Sequence, residues 1–146
     1  MFSQTRPSNP VAETRHERGI LDTSVIVDLD SIDATRLPVE VAITAITLAE
    51  LAAEPHATTD QAERARRQDR LQRTEAAFDP LPFDAEASRA CGRVYAAVAS
   101  AGRKARGARA VDLLIAAVAC STGLPLYTRN SADFEHLDGI LEIIEI

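Results

Sequence analysis

The stretch Gly19-Ile20-Leu21-Asp22-Thr23-Ser24-Val25-Ile26-Val27 decides how this chain is read. Residues 19–21 have the length and apolarity of a short buried strand, and the strand stops at a carboxylate. Thr23 or Ser24 can then cap a short helix running through Leu29. A strand that ends in an acid and turns straight into a helix is one βα unit, and the rest of the chain repeats the alternation. Further strands are predicted at 41–44, 81–83, 126–128 and 141–146, with 81–83 near an edge because Pro80 and Pro82 flank it. Helices are predicted from Thr47, over 60–78 with the arginines on its outward face, from Asp84 to a stop at Gly102, and from Asp112 to about Thr122, where Gly123 and Pro125 end it. The pattern is that of an α/β domain with a largely parallel sheet of about five strands.

Within this frame three carboxylates stand among apolar residues. Asp22 lies between Leu21 and the Val25-Ile26-Val27 run, Glu50 within Leu48-Ala49-Glu50-Leu51, and Asp112 between Val111 and Leu113-Leu114-Ile115. An ionised carboxylate taken out of water needs a cation or a proton. A divalent ion shared by several carboxylates meets that need, and an oxygen-only donor set suits magnesium or manganese. Asp22 ends the first predicted strand, Glu50 follows the second, Asn130 follows the fourth, and Asp112 opens the helix that feeds the fourth. Ligands of open α/β sheets bind beyond the carboxyl ends of the strands, so all four stretches can converge at one end of one sheet. Each acid also has a local explanation. Asp22 and Asp112 can serve as helix caps, and Thr47 with Glu50 forms a T-x-x-E capping box that places Glu50 in the first turn.

Composition narrows the alternatives. The chain has 146 residues, 46% hydrophobic and 26% charged, which is one domain's worth of ordinary globular sequence. The longest apolar run, 113–120, falls short of the roughly 20 residues that span a bilayer, so no membrane partner is expected. Residues 1–18 are polar, carry Pro7 and Pro10, and read as a flexible tail without a secretory h-region. Cys91 and Cys120 read as small core residues, which suits the cytoplasm. His16, His56 and His136 lack zinc-ligand spacing. The net charge is −6, yet Arg64, Arg66, Arg67, Arg70 and Arg73 crowd one segment and Arg103, Lys104, Arg106 and Arg109 another, so local phosphate binding stays open. Ser24 stands where a haloacid dehalogenase needs an aspartate. The phosphate-binding loop, the nucleophile elbow and the dinucleotide fingerprint are all missing from the sequence.

G-I-L-D-T-S-V at 19–25, I-T-L-A-E-L at 46–51, R-A-V-D-L-L-I-A-A-V-A at 109–119 and L-Y-T-R-N-S-A-D-F at 126–134 occur in this order. Together they resemble PIN-domain ribonucleases, most closely the VapC toxins of type II toxin–antitoxin modules, from residue 19 to 146. The resemblance implies a PIN-like three-layer α/β/α fold and a Mg²⁺-dependent endoribonuclease, with Mn²⁺ as a substitute. It implies that Asp22, Glu50 and Asp112 are catalytic and bind the metal. The family's fourth acidic position falls where this chain has Asn130 and Asp133, and the sequence leaves the choice between the two open. Thr23 and Ser24 are expected to orient Asp22 or a water, Arg109 to clamp the scissile phosphate, and Arg66 and Arg70 to hold flanking RNA. The implied partners are RNA, a VapB-like antitoxin that blocks the cleft, and a second copy of the chain. Two other classes stay open: a silent PIN-like scaffold and a metal-dependent DNA nuclease.

Overall fold

A computed structural model describes residues 15–102 and 108–146. Four strands form one sheet: β1 (Arg18–Leu21), β2 (Glu40–Ala42), β3 (Leu126–Thr128) and β4 (Ile143–Glu145), in the order β2-β1-β3-β4. Every pairing is parallel, with Ile20 opposite both Ala42 and Leu126, and Tyr127 opposite Ile144. Five helices accompany it: α1 (Thr23–Val27), α2 (Ala45–Ala53), α3 (Gln61–Ala77), α4 (Ala85–Ser100) and α5 (Ala108–Thr122).

Successive strand residues face opposite sides, and each side has its own core. Ile20 and Leu126 pack with Val94 and Val98 of α4 and with Leu113, Ile115 and Val118 of α5. Leu21 and Tyr127 pack with Val25 and Ile26 of α1 and Leu51 of α2, with Leu71 and Phe78 at the margin. The result is the expected three-layer α/β/α arrangement. Gly19 sits where the layers press closest. A Cβ there would meet Tyr127 Cε2 at 2.6 Å and Pro38 Cγ at 3.1 Å, so only glycine passes beneath the ring.

The predicted strand at 81–83 is reduced to a single bridge between Thr44 and Leu81. Leu81 N–H donates to Ile43 O at 2.9 Å and Leu81 O accepts from Ala45 N–H at 2.8 Å. Pro80 and Pro82 have no N–H, so pairing cannot extend past Leu81. Helix α3 is where expected, capped by Asp60, whose carboxylate accepts from the N–H groups of Ala62 and Glu63. Its arginines are not all outward. Arg64 donates to the carbonyls of Pro55 and Thr58, and Arg67 to that of Glu54, so two of them bind the turn before the helix. Asp84 caps α4 as predicted, accepting from Ala87 N–H at 2.9 Å. Helix α5 ends at Gly123, whose φ of +69° is the left-handed conformation glycine adopts freely.

Of the expected tail, residues 1–14 lie outside the described residues, as do Arg103, Lys104 and Arg106 of the second basic cluster. Residues just before Gly19 are docked rather than loose. Arg15 donates to Leu37 O at 2.7 Å and Ala34 O at 3.1 Å, and β1 already begins at Arg18. Cys91 and Cys120 are free thiols packed half-buried at the margin of the α4–α5 core. Among the described residues, no helix is long and apolar enough to cross a membrane.

Candidate active site

The strand order reverses direction between β1 and β3: the chain leaves β1 for β2 on one side and returns for β3 on the other. At such a switch point the loops diverge and open a crevice beyond the strand ends. Asp22 and Thr128 stand at that spot. Asp22 N–H donates to Tyr127 O at 2.8 Å, which carries the strand one residue past Leu21 before the chain turns. Helix α1 therefore takes Asp22, not Thr23 or Ser24, as its N-cap residue, but the Asp22 carboxylate makes no capping bond. Instead Oδ2 accepts from Ser24 Oγ at 2.8 Å and from Thr128 Oγ1 at 2.9 Å. The side chain is 4% exposed, and two hydroxyls hold its charge in place of the helix.

Glu50 differs from expectation in a way that sharpens its role. Thr44, not Thr47, caps α2, accepting from Thr47 N–H at 3.1 Å. Thr44 is tied into the Leu81 bridge, so the helix begins as soon as that bridge is made. Glu50 thereby moves to the second turn, and no capping box accounts for it. Thr23 Oγ1 donates to Glu50 Oε1 at 2.7 Å and lies 3.0 Å from Thr47 Oγ1. Burial raises the Glu50 carboxyl above its usual range; the Thr23 hydrogen bond opposes this, and the charges of Asp22 and Glu54 add to it.

Asp112 does not open α5. Ala108 does, and the good helix formers that follow carry the helix through a full turn before Asp112. Asp112 therefore projects from the helix body, with Arg109 one turn before it. Its carboxyl is pushed from 3.8 up to about 7, by burial first and then by the charges of Asp22, Asp133 and Glu50, with Arg109 pulling the other way. Among the described residues, Arg109 Nε and Nη2 are buried without a hydrogen-bond partner.

The fourth stretch begins where β3 ends. Thr128 is fully buried, and its hydroxyl also accepts from Asn130 N–H at 3.0 Å. A short 3₁₀ turn, Ser131–Phe134, follows, with Asp133 N–H bonded to Asn130 O at 3.0 Å. Phe134 is buried and anchors the turn. Asn130 and Asp133 both line one open pocket of about 400 Å³ together with Asp22, Glu50 and Asp112. Thr23 and Ser24 lie in its wall, and Asp28 and Arg129 complete the rim.

Arg66 and Arg70 are not in this pocket. They line a neighbouring groove of about 370 Å³ with an apolar floor that includes Ile26, Leu29 and Phe78. Arg66 is paired with Glu63 at 2.7 Å and Arg70 with Glu54 at 3.0 Å. Val27 borders both cavities, so they adjoin. Sequence reasoning missed Thr47, Asp28, Thr128 and Arg129. Thr128 and Arg129 lie within the L-Y-T-R-N stretch, but nothing in their spacing shows that one backs Asp22 and the other rims the acids.

The donor set suits a hard cation: carboxylates and hydroxyls, with no sulfur and no imidazole. Among the described residues no three His, Cys, Asp or Glu side chains form a ready-made metal cage. Mutual repulsion explains an open cluster, since each carboxylate raises the cost of ionising the next. The elevated Asp112 carboxyl reflects its burial first and that neighbouring charge second.

Four acids at the switch point of a parallel sheet between two helical layers are the architecture of a PIN domain. The PIN-domain family model matches residues 19–140, and the chain belongs to that family. It is 39% identical over 133 residues to Ribonuclease VapC5 of Mycobacterium tuberculosis (strain ATCC 25618 / H37Rv), covering 88% of this chain and 95% of that protein. The crystal structure of VapBC-5, a member of the VapBC family of toxin–antitoxin systems from Mycobacterium tuberculosis, superposes with a TM-score of 0.78 at 39% identity, covering 89% of this chain and 99% of that one. FitAcB of Neisseria gonorrhoeae shares the fold, with a TM-score of 0.66 at 24% identity over 86% of this chain and 95% of that one.

Proposed function

We propose that this chain is the toxin of a VapBC-type module, a metal-dependent endoribonuclease of the cytoplasm restrained by a VapB-like antitoxin. The observation that carries the reading is the convergence of Asp22, Glu50, Asp112 and Asp133 on one pocket, where burial first and the neighbouring charges second raise Asp112 to about 7. Catalysis by such a cluster fits the ribonuclease name of the VapC5 relative.

Asp22 and Asp112 would hold the Mg²⁺ or Mn²⁺ ion, with Glu50 completing the set. A bound ion supplies Lewis-acid stabilisation of the phosphoryl oxygens and a more acidic water. The protein's part is placement. Ser24 and Thr128 fix Asp22 through Oδ2. Thr23 fixes Glu50 through Oε1, which sets the carboxylate to orient the attacking water. Arg109, expected to clamp the phosphate, is not among the residues that line the pocket and has Nε and Nη2 buried; its charge would act through Asp112, whose carboxyl it pulls down. Of the two candidates after β3, Asp133 is the fourth acid, since its charge reaches Asp112; Asn130 serves the substrate side. Water attacks phosphorus, the bond to the 3′ oxygen breaks, and that oxygen leaves with a proton.

Arg66 and Arg70 reach RNA only along the adjoining groove. The same groove, apolar below and lined by arginines, is suited to an antitoxin segment that continues into the acidic pocket. A second copy of the chain and a toxin–antitoxin hetero-oligomer complete the expected assembly.

The test is cleavage of a total small-RNA pool by purified, antitoxin-free protein with Mg²⁺, with EDTA, and with the Asp22→Asn and Asp112→Asn variants. Discrete cleavage that needs the ion and both acids is the expected result. A folded protein that binds Mg²⁺ and cleaves nothing would sink the nuclease reading in favour of a scaffold. Preference for DNA in direct competition would move the substrate class.

A further inference from the structure

Among the described residues, the candidate pocket is lined by five carboxylates, Asp22, Asp28, Glu50, Asp112 and Asp133, and by one cationic side chain, Arg129. A phosphodiester entering such a pocket meets repulsion on nearly every side. Charge neutralisation by a hard cation acts at the inner acids, and Asp28 stays at the rim beyond them.

Arg129 is fixed from two directions. Its backbone N–H donates to Ser24 Oγ at 3.1 Å, and the same hydroxyl donates to Asp22 Oδ2 at 2.8 Å. Its position is therefore set relative to the innermost acid by two consecutive hydrogen bonds. Its Nε lies 3.3 Å from Asp28 Oδ2, in a pair whose side chains are 36% and 52% exposed. A guanidinium carries five N–H donors in a planar fork suited to two oxygens of a phosphate. Asp28 engages it on the Nε side, and among the described residues it has no other ion-pair partner. A pair so exposed to water is weak and readily exchanged. Asp28 has little else to hold it: it follows α1 as the C-cap residue, and its backbone carbonyl, not its carboxylate, binds Ser31.

We propose that Arg129 is the substrate-phosphate anchor at the mouth of the pocket and that Asp28 competes with the incoming phosphate for it. This deepens the nuclease reading and rests on it for the identity of the ligand as RNA. The two residues act in opposite directions on one equilibrium, which a structural role for the pair would not produce. Removing Arg129 weakens RNA binding, whereas neutralising Asp28 strengthens it.

The test is fluorescence anisotropy with a 5′-fluorescein-labelled, mixed-sequence single-stranded RNA and the antitoxin-free full chain, in EDTA, across a salt series. Arg129→Gln is expected to weaken binding roughly tenfold, the size of one charge-assisted contact. It should also lower the slope of log Kd against log salt by about 0.7, the share of one single-strand phosphate. Arg129→Lys should restore the slope and part of the affinity. Asp28→Asn should tighten binding about two- to fivefold, and the effect should vanish in the Arg129→Gln background, as a shared equilibrium requires.

Unchanged affinity and slope in Arg129→Gln would overturn the proposal. So would an Asp28→Asn variant that binds more weakly than the parent with an unchanged melting temperature, or a parent protein with no affinity for the RNA. If Arg129→Gln melts early, Arg129→Lys and Asp28→Asn still decide, since neither removes a backbone contact. RNA bound through Arg129 but never cut would leave this assignment standing and remove the nuclease reading. Cutting that ignores Arg129 would do the reverse.

Discussion

Replacing Asp112 by asparagine should make the metal-free protein more stable while abolishing its chemistry. The folded protein holds the Asp112 proton more tightly than the unfolded chain does, because its carboxyl is raised from 3.8 to about 7. Below about pH 4 both states are protonated and the residue costs nothing. As pH rises from about 4 to about 7 the unfolded chain gives up the proton first, and folding stability falls by a growing amount. Three pH units correspond to about 4 kcal/mol as an upper bound. The carboxyl is only half-buried, and water screens its neighbours, so about 1–2 kcal/mol is the figure to expect. Asparagine keeps the shape and removes the charge. At pH 8 in EDTA, Asp112→Asn should melt roughly 2–8 °C above the parent, and the gap should shrink to about a third at pH 5 and close only near pH 4. Scanning calorimetry at these pH values reads this directly. Added Mg²⁺ should raise the melting temperature of the parent and leave the variant unmoved, with RNA cleavage lost in the variant. A variant less stable than the parent at pH 8 without metal would refute the idea that the acids are held together against their own repulsion.

The remaining expectations are local. Thr128→Val keeps the volume of a fully buried side chain but deletes the hydroxyl that donates to Asp22 Oδ2 and accepts from Asn130 N–H; it should cost about 1–3 kcal/mol in urea denaturation and weaken Mg²⁺ binding about tenfold or more by calorimetry. Gly19→Ala forces a Cβ against the Tyr127 ring at 2.6 Å and should cost about 1–3 kcal/mol by the same denaturation, with no loss of RNA affinity in what remains folded. Thr44→Ala removes the cap that sets the start of α2 and should cost about 1 kcal/mol, whereas Thr47→Ala at the misread cap should leave the α2 start unchanged by amide exchange.

The parts of the fold that sequence reveals are those in which a local signal and the tertiary structure agree. Asp84 and Gly102 bracket α4 because one offers a carboxylate to free N–H groups and the other accepts the left-handed turn. The strand at 126–128 is bounded by Pro125 before it and polar residues after it. The misread elements are those in which two local signals compete and a distant contact chooses. Thr44 and Thr47 are both competent caps, and the Leu81 bridge selects Thr44. Asp112 looks like a cap, yet Ala108 and its neighbours extend the helix past it at no cost. Both differences concern where a helix starts: each acid, expected in a cap or first turn, lies further into its helix.

The acids themselves were legible because a charge among apolar residues contradicts its surroundings. Their support was not legible, because a hydroxyl among apolar residues contradicts nothing. Thr128 reads as an ordinary strand residue until the sheet brings residues 22, 24 and 128 within hydrogen-bond reach, whereas Thr23 and Ser24 read both as caps and as groups that orient Asp22. The same is true of Arg129, which looks like one more surface cation until five carboxylates surround the pocket it rims. A site of this kind is thus announced in sequence by its most costly members, while what orients them and admits the substrate is settled only when strands distant in sequence lie side by side. The Asp28–Arg129 pair puts this to the test, since its two members sit 101 positions apart and only the β1–β3 pairing makes them rivals for one phosphate.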